Sequence, residues 1–277
     1  MFLFPECRSS AASKPDAKPN EGYCAMRMKL PLVLLLMAAW GGAAADILGV
    51  RAGVAYWSYD VDGFLRYQST DPADDIDVQD DLGYGDDSLV FAYIQLEHPI
   101  PLLPNVRLSK TSIDTEASGT MTAEFTYGGA TFGLNEEVES TLQLDQVDLT
   151  LYYQILDNVV GLNVGLNGKY LDSTAEIASR SAATSEAAEV SAWVPMVYAG
   201  VEFNLPFSGL SLSADGSYIG FSGSAFYDYT VRLTYDTPWI VGVDVGYRSI
   251  KLDLDDIDDS YASIEFSGIY GGLYAGF

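Results

Sequence analysis

GLNVGLNGKY, residues 161–170, is the stretch on which the fold turns. Leu162, Val164 and Leu166 fall on one phase; Asn163, Gly165, Asn167 and Lys169 fall on the other. Alternation of this regularity means an extended strand with one apolar and one polar face. IVGVDVGYRS, residues 240–249, repeats it, with Val241, Val243, Val245 and Tyr247 set against Gly242, Asp244, Gly246 and Arg248. Working outward from these two, the chain after Asp46 divides into stretches of about 9–14 residues, the length a tilted transmembrane strand needs. No apolar run there is long enough for a membrane-spanning helix.

Ten strands fit, at about 47–59, 88–97, 105–114, 141–155, 159–171, 191–205, 210–221, 228–236, 239–252 and 261–277. Short connections rich in Pro, Gly, Asn or Asp (98–105, 156–158, 206–209, 236–239) alternate with longer acidic ones (60–86, 115–140, 172–190, 222–227, 253–260). That asymmetry predicts an all-β, up-and-down antiparallel transmembrane barrel with both ends of the chain on the short-turn side. Closure is expected because lipid cannot satisfy a free strand edge. Eight or twelve strands remain open, since 115–140 could add a hairpin outside the membrane. The rival architecture is a soluble periplasmic sandwich, which leaves the apolar stripe on every strand unexplained.

Face assignment supports the barrel. One face carries Leu48, Val50, Val54, Tyr56, Val90, Ile94, Leu96, Val147, Leu149, Leu151, Tyr153, Val197, Val201, Phe203, Tyr229, Val231 and Leu233. The other carries the expected lumen charges Arg51, Glu97, Asp148, Lys169, Glu202, Asp215, Arg232, Asp244 and Arg248. A charge facing lipid at the midplane costs about 2–4 kcal/mol, so this segregation is expected of a membrane barrel. Two places break the phase. Leu142 and Leu144 disagree with Val147, and the charge of Glu265 does not suit the lipid phase of the terminal strand. Both read as bulges or as strand extension beyond the bilayer.

The N-terminal region reads as a targeting segment. Residues 26–45, MRMKLPLVLLLMAAWGGAAA, have a short basic start, an apolar core and small residues before Asp46. That is the pattern of a secretory signal peptide, with Sec-type export and cleavage expected near Ala45-Asp46. Residues 1–25 read as an upstream extension from a start placed too early, and residues 46–277 as the barrel. Cys7 and Cys24 both precede the signal core, so no disulfide framework is expected. The chain carries 14 Lys and Arg against 39 Asp and Glu; without residues 1–45, 9 basic and 36 acidic side chains remain. So acidic a balance argues against a nucleic-acid partner.

In GGLYAGF (271–277), Leu273, Ala275 and Phe277 share one phase. Gly272, Ala275 and Phe277 resemble the C-terminal signal of bacterial outer-membrane barrels, whose final strand ends in Phe and is recognised by the barrel-assembly machinery. The opening ADILGVRAGVAYWSYDVDG (45–63) and the ending SGIYGGLYAGF (267–277) resemble a sparsely characterised proteobacterial family of small Gram-negative outer-membrane proteins. The resemblance implies a cell outer membrane location, with lipid, lipopolysaccharide and the assembly machinery as partners. It brings no catalytic residue and no cofactor. A monomer is expected.

Chemistry is sparse. His98, beside Pro99 in a short turn, is the only histidine. It sits at the wrong end for an outer-rim hydrolase, and neutral-pH base catalysis most readily uses histidine. The stretch 71–87 holds aspartates 71, 74, 75, 77, 80, 81, 86 and 87, and 253–259 adds five more. Hard cations bind oxygen-rich clusters, so Asp74, Asp75, Asp77, Asp80, Asp81, Asp255, Asp256, Asp258 and Asp259 are weak Ca²⁺ candidates. A solvated, self-repelling acidic surface is the plainer reading. Trp57, Trp193 and Trp239, with Tyr56, Tyr59, Tyr235, Tyr247 and Tyr274, read as an interfacial girdle; Trp57 and Tyr59 could instead stack on carbohydrate at the outer rim. Ten strands with inward charges suggest a plugged interior, although Gly165, Gly216, Gly242 and Gly246 could leave a narrow pore. Three functions follow in order: a structural or surface-interaction barrel, a narrow cation-preferring channel, and an outer-membrane enzyme.

Overall fold

The computed structural model describes residues 48–276, apart from 68–70, 101, 123, 128–129, 182–183 and 258–259. The expected signal peptide (26–45), the extension before it, the cleavage point, Phe277, Asp258 and Asp259 lie outside the described residues.

The strands in chain order are β1 (Gly49–Tyr67), β2 (Ile76–Asp77), β3 (Asp87–Glu97), β4 (Asn105–Thr120), β5 (Phe125–Tyr127), β6 (Ala130–Phe132), β7 (Glu137–Asp157), β8 (Val160–Ser179), β9 (Ser185–Leu205), β10 (Leu210–Phe221), β11 (Ser224–Asp236), β12 (Val241–Ile257) and β13 (Ser260–Gly276). Ten of them pair antiparallel, each with the next in sequence, and β13 closes on β1 from Arg51↔Gly276 to Tyr67↔Ser260. The three short strands β2, β5 and β6 belong to the connections. This is a closed up-and-down barrel of the transmembrane type, with no free edge in its apolar band.

The outward phase makes that band. Val54, Val90, Leu149, Leu166, Val197, Val231, Val245 and Leu273 are all exposed on the outer surface. On β8 the apolar positions run from Leu162 to Tyr170, and exposed Asp172 and Glu176 follow. About nine residues therefore cross, as a tilted strand requires. Tyr170 and Trp193, with ring centroids 5.3 Å apart, and Tyr229 with Tyr247 at 6.4 Å mark one rim. Trp239 and Tyr235 are exposed near the other.

The strands run further than their alternation suggested. The expected long connections at 172–190, 222–227 and 253–260 are shorter than expected, because β8 runs to Ser179, β9 starts at Ser185, β11 starts at Ser224 and β12 runs to Ile257, past the apolar band. Ser222 (φ 51°) and Gly223 (φ 94°) form a two-residue hairpin turn with both residues left-handed, which suits the strand twist. Of the two readings for Leu142 and Leu144, strand extension beyond the bilayer holds and the bulge does not. They lie on the inward phase with Gln146 and Asp148, all buried, and the register shift in β7 falls instead at Gln154/Leu156. Glu265 points outward on the extension, where Ser249 Oγ donates to it at 2.8 Å.

Trp57, Tyr59 and Tyr274 correct the girdle reading: each is buried on the inward phase. Trp57 and Tyr59 are thus closed to carbohydrate stacking. Gly216 faces outward against Tyr229. Of the inward glycines, Gly242 lies against the Tyr274 ring and Gly246 against the Tyr270 ring, so the space they leave is occupied.

Candidate functional site

From the short-turn end upward, the interior has three layers. The first is polar. Asp215 of β10 accepts from Arg107 of β4 at 2.8 Å and pairs with Arg232 of β11. Tyr152 donates to Glu97 at 2.7 Å, Tyr93 to Asp244 at 3.2 Å, and Thr234 to Asp244 at 2.7 Å. Arg51 stacks 4.6 Å from the Tyr274 centroid. Two small cavities of about 200 and 90 Å³ share Arg51, Gln95 and Glu97, and Glu202 lines the smaller.

The second layer is an ionic belt at mid-barrel. Lys169 of β8 stands directly opposite Asp148 of β7 and meets it at 2.6 Å, with Asp228 of β11 at 2.9 Å. Arg248 of β12 meets Asp228 at 2.8 Å and donates to Thr111 of β4 at 3.0 Å. Its guanidinium also lies 5.2 Å from the Trp57 ring centre and 4.9 Å from that of Phe91. Two cations balance two anions, and five strands are tied across the lumen. Ion pairs this deep gain little over an apolar filling, but each is costly to break singly.

The third layer is apolar and lies beyond the band. Trp57, Tyr59, Val61, Ile113, Leu142, Leu144, Ile177, Ile250, Ile264 and Phe266 fill the extended strands from inside. Two connections fold over this core as a cap. Segment 71–86 contributes Ile76, Val78, Leu82 and Tyr84, and segment 121–136 contributes Met121, Tyr127 and Phe132. Segment 71–86 takes the place of β3 where that strand ends. Val78 N–H donates to Gly63 O at 3.0 Å, and Gly119 of β4 packs so closely on the Asp81 backbone that no side chain fits there. Asp81 Oδ1 accepts from the hydroxyl and the N–H of Thr122, joining the two cap segments. Glu136 accepts from Ser179 Oγ and from Gly133 N–H, and these bonds hold its carboxyl below the usual range. Burial pushes the Tyr84 phenol up to about 12.

The acidic candidates are used locally. Asp75 pairs with Arg66 at 2.7 Å, Asp77 Oδ1 accepts from the N–H groups of Gln79 and Asp80, and Asp81 Oδ2 accepts from Asp77 N–H. Asp74 closes the 3-10 turn Pro72–Asp74, Asp80 is exposed, Asp255 donates its N–H to Ser224 Oγ, and Asp256 belongs to β12. No three acids converge to hold a cation among the described residues. His98 is engaged in its turn: Nε2 lies 3.2 Å from Pro104 O, and Nδ1 accepts from Ile100 N–H. In the last strand Gly272 stands opposite Ala55, while Leu273 and Ala275 face outward.

All nine sequence-selected charges face the interior, but in two separate groups. Asp148, Lys169 and Arg248 form the belt; Arg51, Glu97, Glu202, Asp215, Arg232 and Asp244 belong to the polar layer. Asp228 and Arg107 complete these networks and were not singled out. Their signal was phase alone: Asp228 shares that of Arg232, and Arg107 sits between Val106 and Leu108.

The sequence matches no protein-family model and no curated relative. Among solved structures the chain is similar to the outer membrane protease OmpT of Escherichia coli, at 11% identity and a TM-score of 0.55, over 86% of this chain and 99% of that one. The transport unit of the E. coli autotransporter AIDA-I (TM-score 0.38, 10% identity, 87% and 94% covered) and a Pseudomonas aeruginosa FadL homologue (0.35, 10%, 84% and 90%) follow. At these identities the OmpT likeness carries the fold and nothing finer.

Proposed function

We propose that this chain is a monomeric barrel of the Gram-negative outer membrane, closed to solutes, whose work is done by the capped projection outside the membrane. The observation that carries this reading is the filled interior. Lys169 in the belt and Trp57 in the apolar core above it are completely inaccessible, and two cap segments close over that core. A channel reading requires a water-filled path, which the ionic belt interrupts. In this reading the short turns face the periplasm, and lipid and lipopolysaccharide surround the band. Export uses the 26–45 signal, and insertion uses the assembly machinery.

Proteolysis, named for the OmpT structure, finds little support. The only histidine is held in a short turn at the periplasmic end, so the acids of the outer projection have no imidazole to work with. We read the chain as non-catalytic.

The test combines location and conductance. The outer-membrane fraction run on a detergent gel, boiled and unboiled, should show a heat-dependent mobility shift. The purified barrel in planar bilayers should give no steady current steps. Cation-selective steps in the wild-type protein would overturn the sealed reading, and recovery in the soluble periplasmic fraction would overturn the barrel's location.

A further inference from the structure

The projection has one open side. β8 and β9 pair along their whole length, from Val160↔Phe203 to Ala178↔Ser185. β10, however, pairs with β9 only from Leu210↔Leu205 to Tyr218↔Val197, and turns back at Ser222-Gly223. Twelve residues of β9, from Ser185 to Met196, therefore have β8 on one side and no strand on the other among the described residues.

The direction of the backbone groups follows from register. Asn204 N–H donates toward the β8 side, to Val159 O, so even-numbered residues of β9 bond β8 and odd-numbered ones face β10. Beyond Val197 those odd positions include Pro195, Trp193, Ser191 and Ala187. Pro195, which has no N–H, is tolerated there because its nitrogen faces the gap. Trp193, Ser191 and Ala187 turn N–H and C=O groups into it.

Side chains show that the wall is missing. Val190 is on the inward phase, where Met196 and Tyr198 are buried, yet it is 51% exposed. Phe221, at the tip of the short hairpin, is 79% exposed. A similar gap between β1 and β4, where β3 ends, is filled by segment 71–86. The gap beside β9 is not filled by any described residue.

We propose that this edge binds an extended, lysine- or arginine-bearing peptide segment of another protein, which adds a strand beside β9. The inference rests on the reading of the projection as the working part. Backbone bonding supplies the affinity of such strand addition, and alternate side chains supply specificity. Charge chooses the occupant. Glu186 on β9 and Asp255 against the Gly223 turn border the gap, and Asp172 and Glu176 stand one strand behind it, opposite Ser191 and Ala187. Two described cations of the projection, Arg180 and Lys251, are already paired, with Glu139 at 2.8 Å and Asp253 at 3.5 Å. Inward positions of the added strand would cover Val190, so basic residues should alternate with apolar ones. A second copy fits poorly: two barrels in one membrane both send β9 upward with a tilt of about 35–45°, so their edges cross rather than align.

The test uses the full barrel in detergent micelles and a fluorescent ten-residue peptide alternating Lys and Val, with a Glu–Val peptide as control. The Lys peptide should bind, weaken with added salt, and slow amide exchange at Ala187, Ser191 and Trp193. Ser191→Pro removes one gap-facing N–H without touching the β8 ladder, so it should keep the heat-dependent gel shift and bind at least about tenfold more weakly. Equal binding of the Glu peptide, unchanged binding by Ser191→Pro, or no binding at all overturns the proposal. So does a β9–β9 cross-link between two copies carrying Ala187→Cys. Because the gel shift and conductance are read separately, failure of the peptide assay leaves the sealed-barrel reading to its own test.

Discussion

Lys169 Nζ lies 2.6 Å from Asp148 Oδ1 across the β7–β8 pair, and none of the lysine side chain is exposed. The pair is the pivot of the mid-barrel belt, because the same ammonium also meets Asp228 at 2.9 Å.

Lys169→Met should therefore be strongly destabilising, by about 3–5 kcal/mol, since it leaves buried carboxylate charge uncompensated. The double change Lys169→Met with Asp148→Leu should recover most of that loss, because Asp228 keeps Arg248. Urea unfolding from lipid vesicles reads both. If the double variant is as unstable as the single one, the belt is not the balanced network described here.

A second prediction separates the two tryptophan environments. Trp57 is fully buried beneath the cap, and Trp193 is 66% exposed at the membrane rim. Trp57→Ala should cost about 3–5 kcal/mol as a core truncation, and Trp193→Ala markedly less. Quenching by an aqueous quencher checks the placement directly: Trp57 should be protected in the folded barrel. Equal losses for the two variants would contradict the assignment of Trp57 to the core.

The period-two pattern of 161–170 and 240–249 was enough to find ten strands, because lipid forces apolar residues onto one phase and pairing forces closure. It failed at the outer ends for a physical reason. Beyond the bilayer the outward phase meets water, so Asp172 and Glu176 face out, while the inward phase turns apolar at Leu142, Leu144 and Ile177. The same strand thus reverses the polarity of its faces midway, and a reader expecting one rule sees a bulge or a loop. Segment 71–86 was misread similarly. Its aspartates dominate the composition, whereas Ile76, Val78, Leu82 and Tyr84 decide where it packs. The lumen charges were legible by phase, but their partners, such as Asp228 for Lys169, depend on the curvature of the closed wall.

The cap gives a third prediction. Asp81 joins its two segments through Thr122 and also accepts from Asp77 N–H at 3.0 Å. Asp81→Ala should loosen the cap without opening the barrel. Proteinase K should then cut within 71–86 several-fold faster, while the heat-dependent gel shift stays unchanged. A variant that resists the protease like the wild type would mean the segments are held by Ile76, Val78 and Leu82 alone.

The last prediction concerns pH and the same cap. Tyr84 is buried, and burial together with the nearby charge of Glu116 raises its phenol from the ordinary 10.0 to about 12. When segment 71–86 swings away, the phenol meets water and ionises near 10. The closed cap therefore holds a proton that the open one releases. Its contribution is fully present below pH about 10 and is lost as pH rises through about 12. Proteinase K cleavage within 71–86 should accelerate over that window in the wild type. Tyr84→Phe carries no titrating proton at this position and should show a flatter profile, although it keeps the same ring in the core. Superimposable profiles for the two proteins would place the alkaline opening elsewhere in the barrel.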